Sequence, residues 1–306
     1  MNPGMLRATL TLLTGSAAAH AIPLALGPAL TRTYAPEDFG QFALLWAVAT
    51  NMAVVGCARY EFALPLEASE PRAAHLMALC ARILLAVTAA SAAVGMVLHW
   101  GYELPLAWAL PCAVLAGGAV QWLTMWATRS RRFGLLSAAR LVQHGGGAIL
   151  QLLLGALTTG PIGLVLGAMA ATLGAGWILA RPAPAGGWRA IWHQPMADLK
   201  AMAQRHRDFP WLNTPHAFMG ALQDTLTLVL IAAWTGDAAA GFWALALRYL
   251  KAPATLIGGA LSQTLYPNLL KAQSASEARA LVRKTMVVLA GLACPLAIVL
   301  LFWGPG

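Results

Sequence analysis

Charge is scarce in this chain. Asp, Glu, Lys and Arg make up 10% of its 306 residues, against about a quarter in an ordinary soluble domain. Few polar stretches are long enough to fold by themselves, which excludes a soluble catalytic domain. Cysteine is sparse as well: Cys57, Cys80, Cys112 and Cys294 all lie in apolar runs without a CxxC spacing. That pattern offers neither a zinc site nor a disulfide framework and reads as inert packing. His20, His144 and His216 share no metal-ligand spacing, so no metal is expected. The stretch "QHGGGAILQ" at 143–151 follows no strand and precedes no GK[ST], so it is a place for close helix approach and not a phosphate loop. No cofactor is indicated.

What fills the chain is apolar: 59% of residues are hydrophobic and the mean hydropathy is +0.66. Runs of about 20 such residues recur throughout, each long enough to cross a hydrocarbon core of about 30 Å. The expected fold is all-α, a polytopic membrane helix bundle of about nine spans, near 8–31, 40–64, 74–98, 104–127, 139–157, 161–180, 212–234, 239–265 and 285–303. Strands are excluded because the runs lack period-two alternation and an open sheet edge in lipid leaves backbone groups unpaired. The N-terminal Arg7 and "AAAHA" at 17–21 imitate a signal peptide, but the apolar run continues to Leu30, so an uncleaved first helix is expected.

The net charge of +9 serves orientation. With a cytoplasmic N-terminus, the loops on that side hold Arg72, then Arg129, Arg131, Arg132 and Arg140, then Arg181, Arg189, Lys200, Arg205 and Arg207, then Lys271, Arg279, Arg283 and Lys284; the other side holds Arg32. The positive-inside rule predicts that asymmetry, so no nucleic acid is needed to explain it. Membrane lipids are the expected surroundings, with anionic headgroups attracted to the basic loops.

The polar stretch 182–210 divides the spans into an N-terminal lobe of six (1–181) and a C-terminal set of three (211–306), a second lobe cut short. Within the connector, Trp188, Trp192, Met196 and Leu199 recur at spacings of three and four, as in a short amphipathic helix on the membrane surface. An internal echo supports two related halves: "GQFAL" at 40–44 opens the second span and "GFWAL" at 241–245 opens the eighth.

Ionisable groups at membrane depth are functional candidates because they are costly unless paired or hydrated. Arg82 is expected to snorkel to the cytoplasmic surface. At the end of the second span, Arg59 and Glu61 are two apart and cannot pair along a helix. Counting about 1.5 Å per residue from Gly40 puts Arg59 at about 28 Å, near the boundary. Both are either interface anchors, or one faces a cavity while the other meets another helix. Asp224 lies midway along the seventh span, too deep to snorkel, and Arg248 falls at about the same depth on the eighth, so a salt bridge is expected. Lys251 shares the face of Arg248 and adds a positive charge suited to a phosphate or pyrophosphate. Pro253 and Gly258–Gly259 are candidate bends of this helix.

Several segments together resemble a known family: "LTRTYAPEDFGQFALLWAV", "ARYEFALPL", "RSRRFGLLSAARLVQ", the block from "RDFPWLNTPHAF" through "ALALRYLKAPATLIGGALSQTLYPNLL", and "FWGPG". The chain is similar to the O-antigen and capsule-type oligosaccharide flippases of the polysaccharide biosynthesis and export family. That resemblance implies two six-helix lobes, and it implies transport of an undecaprenyl-pyrophosphate-linked sugar repeat across the bacterial inner membrane by alternating access. Polysaccharide polymerase and export machinery would be partners. It carries over to Arg59 and Glu61 in "RYE" and to Arg248 in "ALALRYL". With Lys251 and Asp224 added from their depth alone, Arg59, Arg248 and Lys251 are the expected substrate-binding cations, and Asp224 and Glu61 the ion-coupling or salt-bridging carboxylates. The competing readings are a membrane glycosyltransferase, polymerase or ligase using the outer pair Glu37 and Asp38, and a drug or small-molecule exporter. The bland role of Glu37 and Asp38 is to start the second span after Pro36.

Overall fold

The structure, a computed structural model, describes residues 3–101, 104, 106–157, 160–181, 183–184, 187–251 and seven single positions between 279 and 291. Most of the ninth expected span, Cys294, Pro253 and Gly258–Gly259 lie outside the described residues. The chain divides into two compact units, Met1–Leu247 and Arg248–Gly306.

In the first unit every regular element among the described residues is helical: α1 (Pro3–Ala25), α2 (Gly27–Thr33), α3 (Pro36–Val54), α4 (Glu70–Gly101), α5 (Leu110–Arg129), α6 (Phe133–Arg140), α7 (Gly147–Gly155), α8 (Ile162–Ala180), α9 (Gly187–Trp192), α10 (Met196–Arg205) and α11 (Thr214–Thr235). A last helix occupies 237–247. Among the described residues four stretches are long and apolar enough to cross a membrane: Glu70–Gly101, Ala107–Arg129, Ile162–Ala180 and Phe209–Thr235.

Three expected spans are built differently from straight helices. The first breaks at Leu26 before Gly27 and Pro28, giving α1 and α2. The fifth is interrupted by a π-helical segment, Leu141–Gly146, whose glycines tolerate the wider turn between α6 and α7. The second ends early: α3 stops at Val54, Ala58 and Arg59 adopt positive φ of 48° and 62°, and a 3-10 turn runs over Tyr60–Leu66. The count of 1.5 Å per residue from Gly40 therefore does not reach Arg59, because an α-helical rise holds only as far as Val54.

α5 is central, packed by α3, α4 and α8, while α1 lies along α6 and the π segment and α7 pairs with α8. Leu76, Met77, Leu84, Leu123 and Leu179 are buried in one core cluster and Leu45, Leu110, Val114 and Val165 in another. The outside is also apolar. Trp100, Trp108 and Trp234 are exposed at the ends of α4, the start of α5 and the end of α11, and Trp177, Trp192 and Trp211 are exposed near the opposite ends of α8, α9 and α11. Two groups of tryptophan at opposite helix ends are what the two interfaces of a bilayer select.

Candidate functional site

The turn after α3 sends its two charges in different directions. Arg59, in the left-handed conformation, places its guanidinium 4.7 Å from the centroid of the Phe62 ring. Glu61 turns inward and is 1% exposed. Its Oε1 accepts a hydrogen bond from Nε2 of Gln121 on α5 at 2.6 Å, and its Oε2 is buried with no hydrogen-bond partner among the described residues. Gln121 also lines a cavity of about 220 Å³ between α3, α5, α8 and the π segment, where Thr50, Gln143 and Thr172 supply further polar groups. A buried carboxylate whose amide partner lines a cavity carrying a few polar groups is a place for a proton or a cation, since a charge there gains little from bulk water. Of the two readings of Arg59 and Glu61, the interface anchor fails for Glu61, because a fully buried side chain anchors nothing to water.

A second ionic centre went unnoticed in the sequence. Glu67, 6% exposed, lies 3.6 Å from Arg72, 3.7 Å from Arg205 and 3.7 Å from His206. Its backbone carbonyl accepts from Nε of Arg129 at 3.0 Å, and Nη1 of Arg129 reaches Glu70 at 2.8 Å. The start of α4, the end of α5 and the end of α10 are thus held together by basic residues that composition alone reads as orientation charges. The signal available was the grouping of Glu61, Glu67 and Glu70 in a chain with only 11 acidic residues.

The connector is not a free surface helix. Arg82, half-exposed, extends to the connector, donating from Nη2 to the carbonyls of Trp192 at 3.1 Å and Gln194 at 3.3 Å and satisfying the end of α9. Leu199 and Met202 of α10 are buried, and α10 packs against α4. Pro195 separates the two short helices.

The sequence echo becomes a contact. A Cβ on Gly40 would lie 1.9 Å from the carbonyl oxygen of Asp237, and one on Gly241 would lie 1.9 Å from that of Pro36. Each glycine receives the backbone four residues before the other, so the two segments cross reciprocally. Nε2 of Gln41 adds a hydrogen bond to Oδ2 of Asp237 at 3.2 Å. Asp38 accepts from the Ala35 N–H at 3.0 Å, starting α3.

Asp224 sits midway along α11 on its exposed side. Arg248 and Lys251 belong to the second unit, where 248–251 are helical. The expected pair of Asp224 with Arg248 is divided between the two units. The rings of His20 and His144 stand 5.2 Å apart, and no group of three metal-ligating side chains occurs among the described residues. Cys57 and Cys80 are buried free thiols of one core cluster, and Cys112 is exposed.

Over residues 29–305 the sequence matches the family model described as polysaccharide biosynthesis protein. The chain belongs to that family. Neither the curated proteins nor the solved structures yield a match. The matched range of this polysaccharide biosynthesis protein includes the Glu61–Gln121 pair, the Glu67 centre, Asp224, Arg248 and Lys251. Its four membrane-capable helices and apolar exterior fit a membrane protein.

Proposed function

We propose that the chain is a flippase for an undecaprenyl-pyrophosphate-linked oligosaccharide, the repeat unit of an O-antigen, capsule or exopolysaccharide. The observation that carries this reading is the family match across residues 29–305 of a chain with four membrane-capable helices. The protein sits in the bacterial inner membrane with its N-terminus in the cytoplasm, as part of a bundle of about nine spans in two lobes. Arg72, Arg129 and Arg205, converging near Glu67 at one end of α4, α5 and α10, support that orientation.

Arg59 in the first unit, and Arg248 and Lys251 in the second, are each pyrophosphate ligands in this reading, arginine's planar fork suiting phosphate oxygens. Glu61 and Asp224 are the carboxylates that couple an ion. The buried, half-satisfied Glu61, whose partner Gln121 lines a cavity with further polar groups, supports the first of these assignments. The reciprocal glycine crossing closes the outer end, and parting of the two segments is the step that opens it.

The protein performs no covalent chemistry in this reading. Glu37 and Asp38, the acidic pair a transferase would use, lie in the first turn of α3, with Asp38 engaged by the Ala35 N–H. The test is translocation of a fluorescent undecaprenyl-pyrophosphate oligosaccharide in sealed proteoliposomes. Label reaching the lumen no faster than in empty vesicles would end the flippase reading, and formation of a longer glycan would revive the transferase.

A further inference from the structure

An apolar groove of about 490 Å³ opens where α5, the end of α8 and α9 meet. Its walls are the indoles of Trp122, Trp177, Trp188 and Trp192, with Arg181 at the rim. The groove is preformed. Trp188 donates from Nε1 to the Ala180 carbonyl at 3.1 Å, Trp122 donates to the sulfur of Met77 at 3.0 Å, and the two rings meet edge to face at 6.1 Å. The N–H of each inner indole is therefore spent within the protein, leaving faces that present only apolar surface. Arg82 fixes the backbone of Trp192 from the other side.

The rim has the opposite character. The Arg181 guanidinium lies over the Trp177 ring, 4.3 Å from its centroid, a cation–π contact. Arg181 is exposed, and among the described residues it forms no ion pair. An apolar slot walled by tryptophan, under uncompensated positive charge at a helix end, matches a molecule with a hydrocarbon chain and an anionic head. Its volume falls in the range of about 300–1,000 Å³ typical of small-ligand sites.

We infer that this groove holds one acyl chain of an anionic phospholipid of the surrounding leaflet, with the headgroup phosphate on Arg181. The bound lipid ties the connector to the bilayer on the outer flank of α5 and α8. Holding such a lipid does not depend on whether the protein carries sugar-linked lipids, so a binding measurement without sugar separates the two.

The experiment is native mass spectrometry of the full chain released from detergent containing either phosphatidylglycerol or phosphatidylcholine. Retained phosphatidylglycerol is expected to exceed phosphatidylcholine, and Arg181→Gln is expected to lower its retention about fivefold, the effect of one cation near an anionic surface. Trp177→Ala, a change at a largely exposed side chain, is expected to lower retention of the same lipid. Arg132→Gln, which removes an equal charge elsewhere, is expected to leave it unchanged. Equal retention of the two lipids, or equal loss in Arg181→Gln and Arg132→Gln, would overturn the site. Displacement of phosphatidylglycerol by equimolar undecaprenyl phosphate would overturn the assigned occupant and give the groove to the carrier lipid.

Discussion

Gln121 and Glu61 are 60 residues apart in sequence and 2.6 Å apart in space. The amide from α5 is a side-chain donor to a carboxylate that is 1% exposed, and the other carboxylate oxygen has no partner among the described residues. Removing this side-chain donor by Gln121→Leu costs a buried carboxylate one of its few partners, a loss of about 1–3 kcal/mol. Thermal unfolding in detergent should register it. Glu61→Gln is expected to retain the fold, since an amide oxygen still accepts from Gln121, and to abolish the dependence of transport on an ion gradient. Transport by Glu61→Gln with unchanged gradient dependence would remove Glu61 from the coupling role.

The crossing of Gly40 and Gly241 has no room for a side chain. Gly40→Ala and Gly241→Ala should each destabilise by about 1–3 kcal/mol through overpacking. Gly220→Ala, where nothing lies within 4 Å of the added carbon, should be neutral or stabilising by up to about 1 kcal/mol. Comparable melting shifts in all three would show that the crossing is not a tight contact.

A cysteine pair at Gln41 and Asp237, whose side chains now meet at 3.2 Å, should crosslink readily under oxidation and arrest transport, with recovery on reduction. Undiminished transport by the crosslinked protein would mean that these segments do not part during the cycle.

Glu67 holds the half-exposed Arg72 and Arg205 at 3.6 and 3.7 Å, so each of these two pairs contributes about 1 kcal/mol or less. Glu67→Gln should accordingly weaken the docking of α10 modestly and speed tryptic cleavage at Arg205. High salt should produce a similar acceleration in the unmodified protein by screening the exposed partners.

Arg82→Lys should be more damaging than its conserved charge suggests. A lysine ammonium is a compact charge and lacks the fork that reaches both Trp192 and Gln194. Faster hydrogen exchange at 189–196 is the expected readout, and protection equal to the unmodified protein would refute the pinning role.

Much of the helical framework was legible because hydropathy is additive along a chain. The runs near 74–98, 104–127, 161–180 and 212–234 coincide with the four membrane-capable stretches, and Pro36 with its following acidic pair marks the start of α3. The matching of "GQFAL" with "GFWAL" was visible as well, though not that their glycines touch. Arg82 shows the limit: its depth in a span pointed towards the surface, but not to the carbonyls that receive it, which belong to residues more than 100 positions away.

By itself the sequence determined that this chain is helical and suited to a membrane, because apolar length and missing charge are local properties that any fold must accommodate. Only the tertiary structure decided which polar groups meet. A left-handed turn at Ala58 and Arg59 rotates Glu61 into the core toward Gln121. Packing of α4, α5 and α10 gathers Arg72, Arg129 and Arg205 near Glu67. Four tryptophans on three elements close into one groove. Such contacts depend on distances between remote segments, which periodicity and composition do not encode.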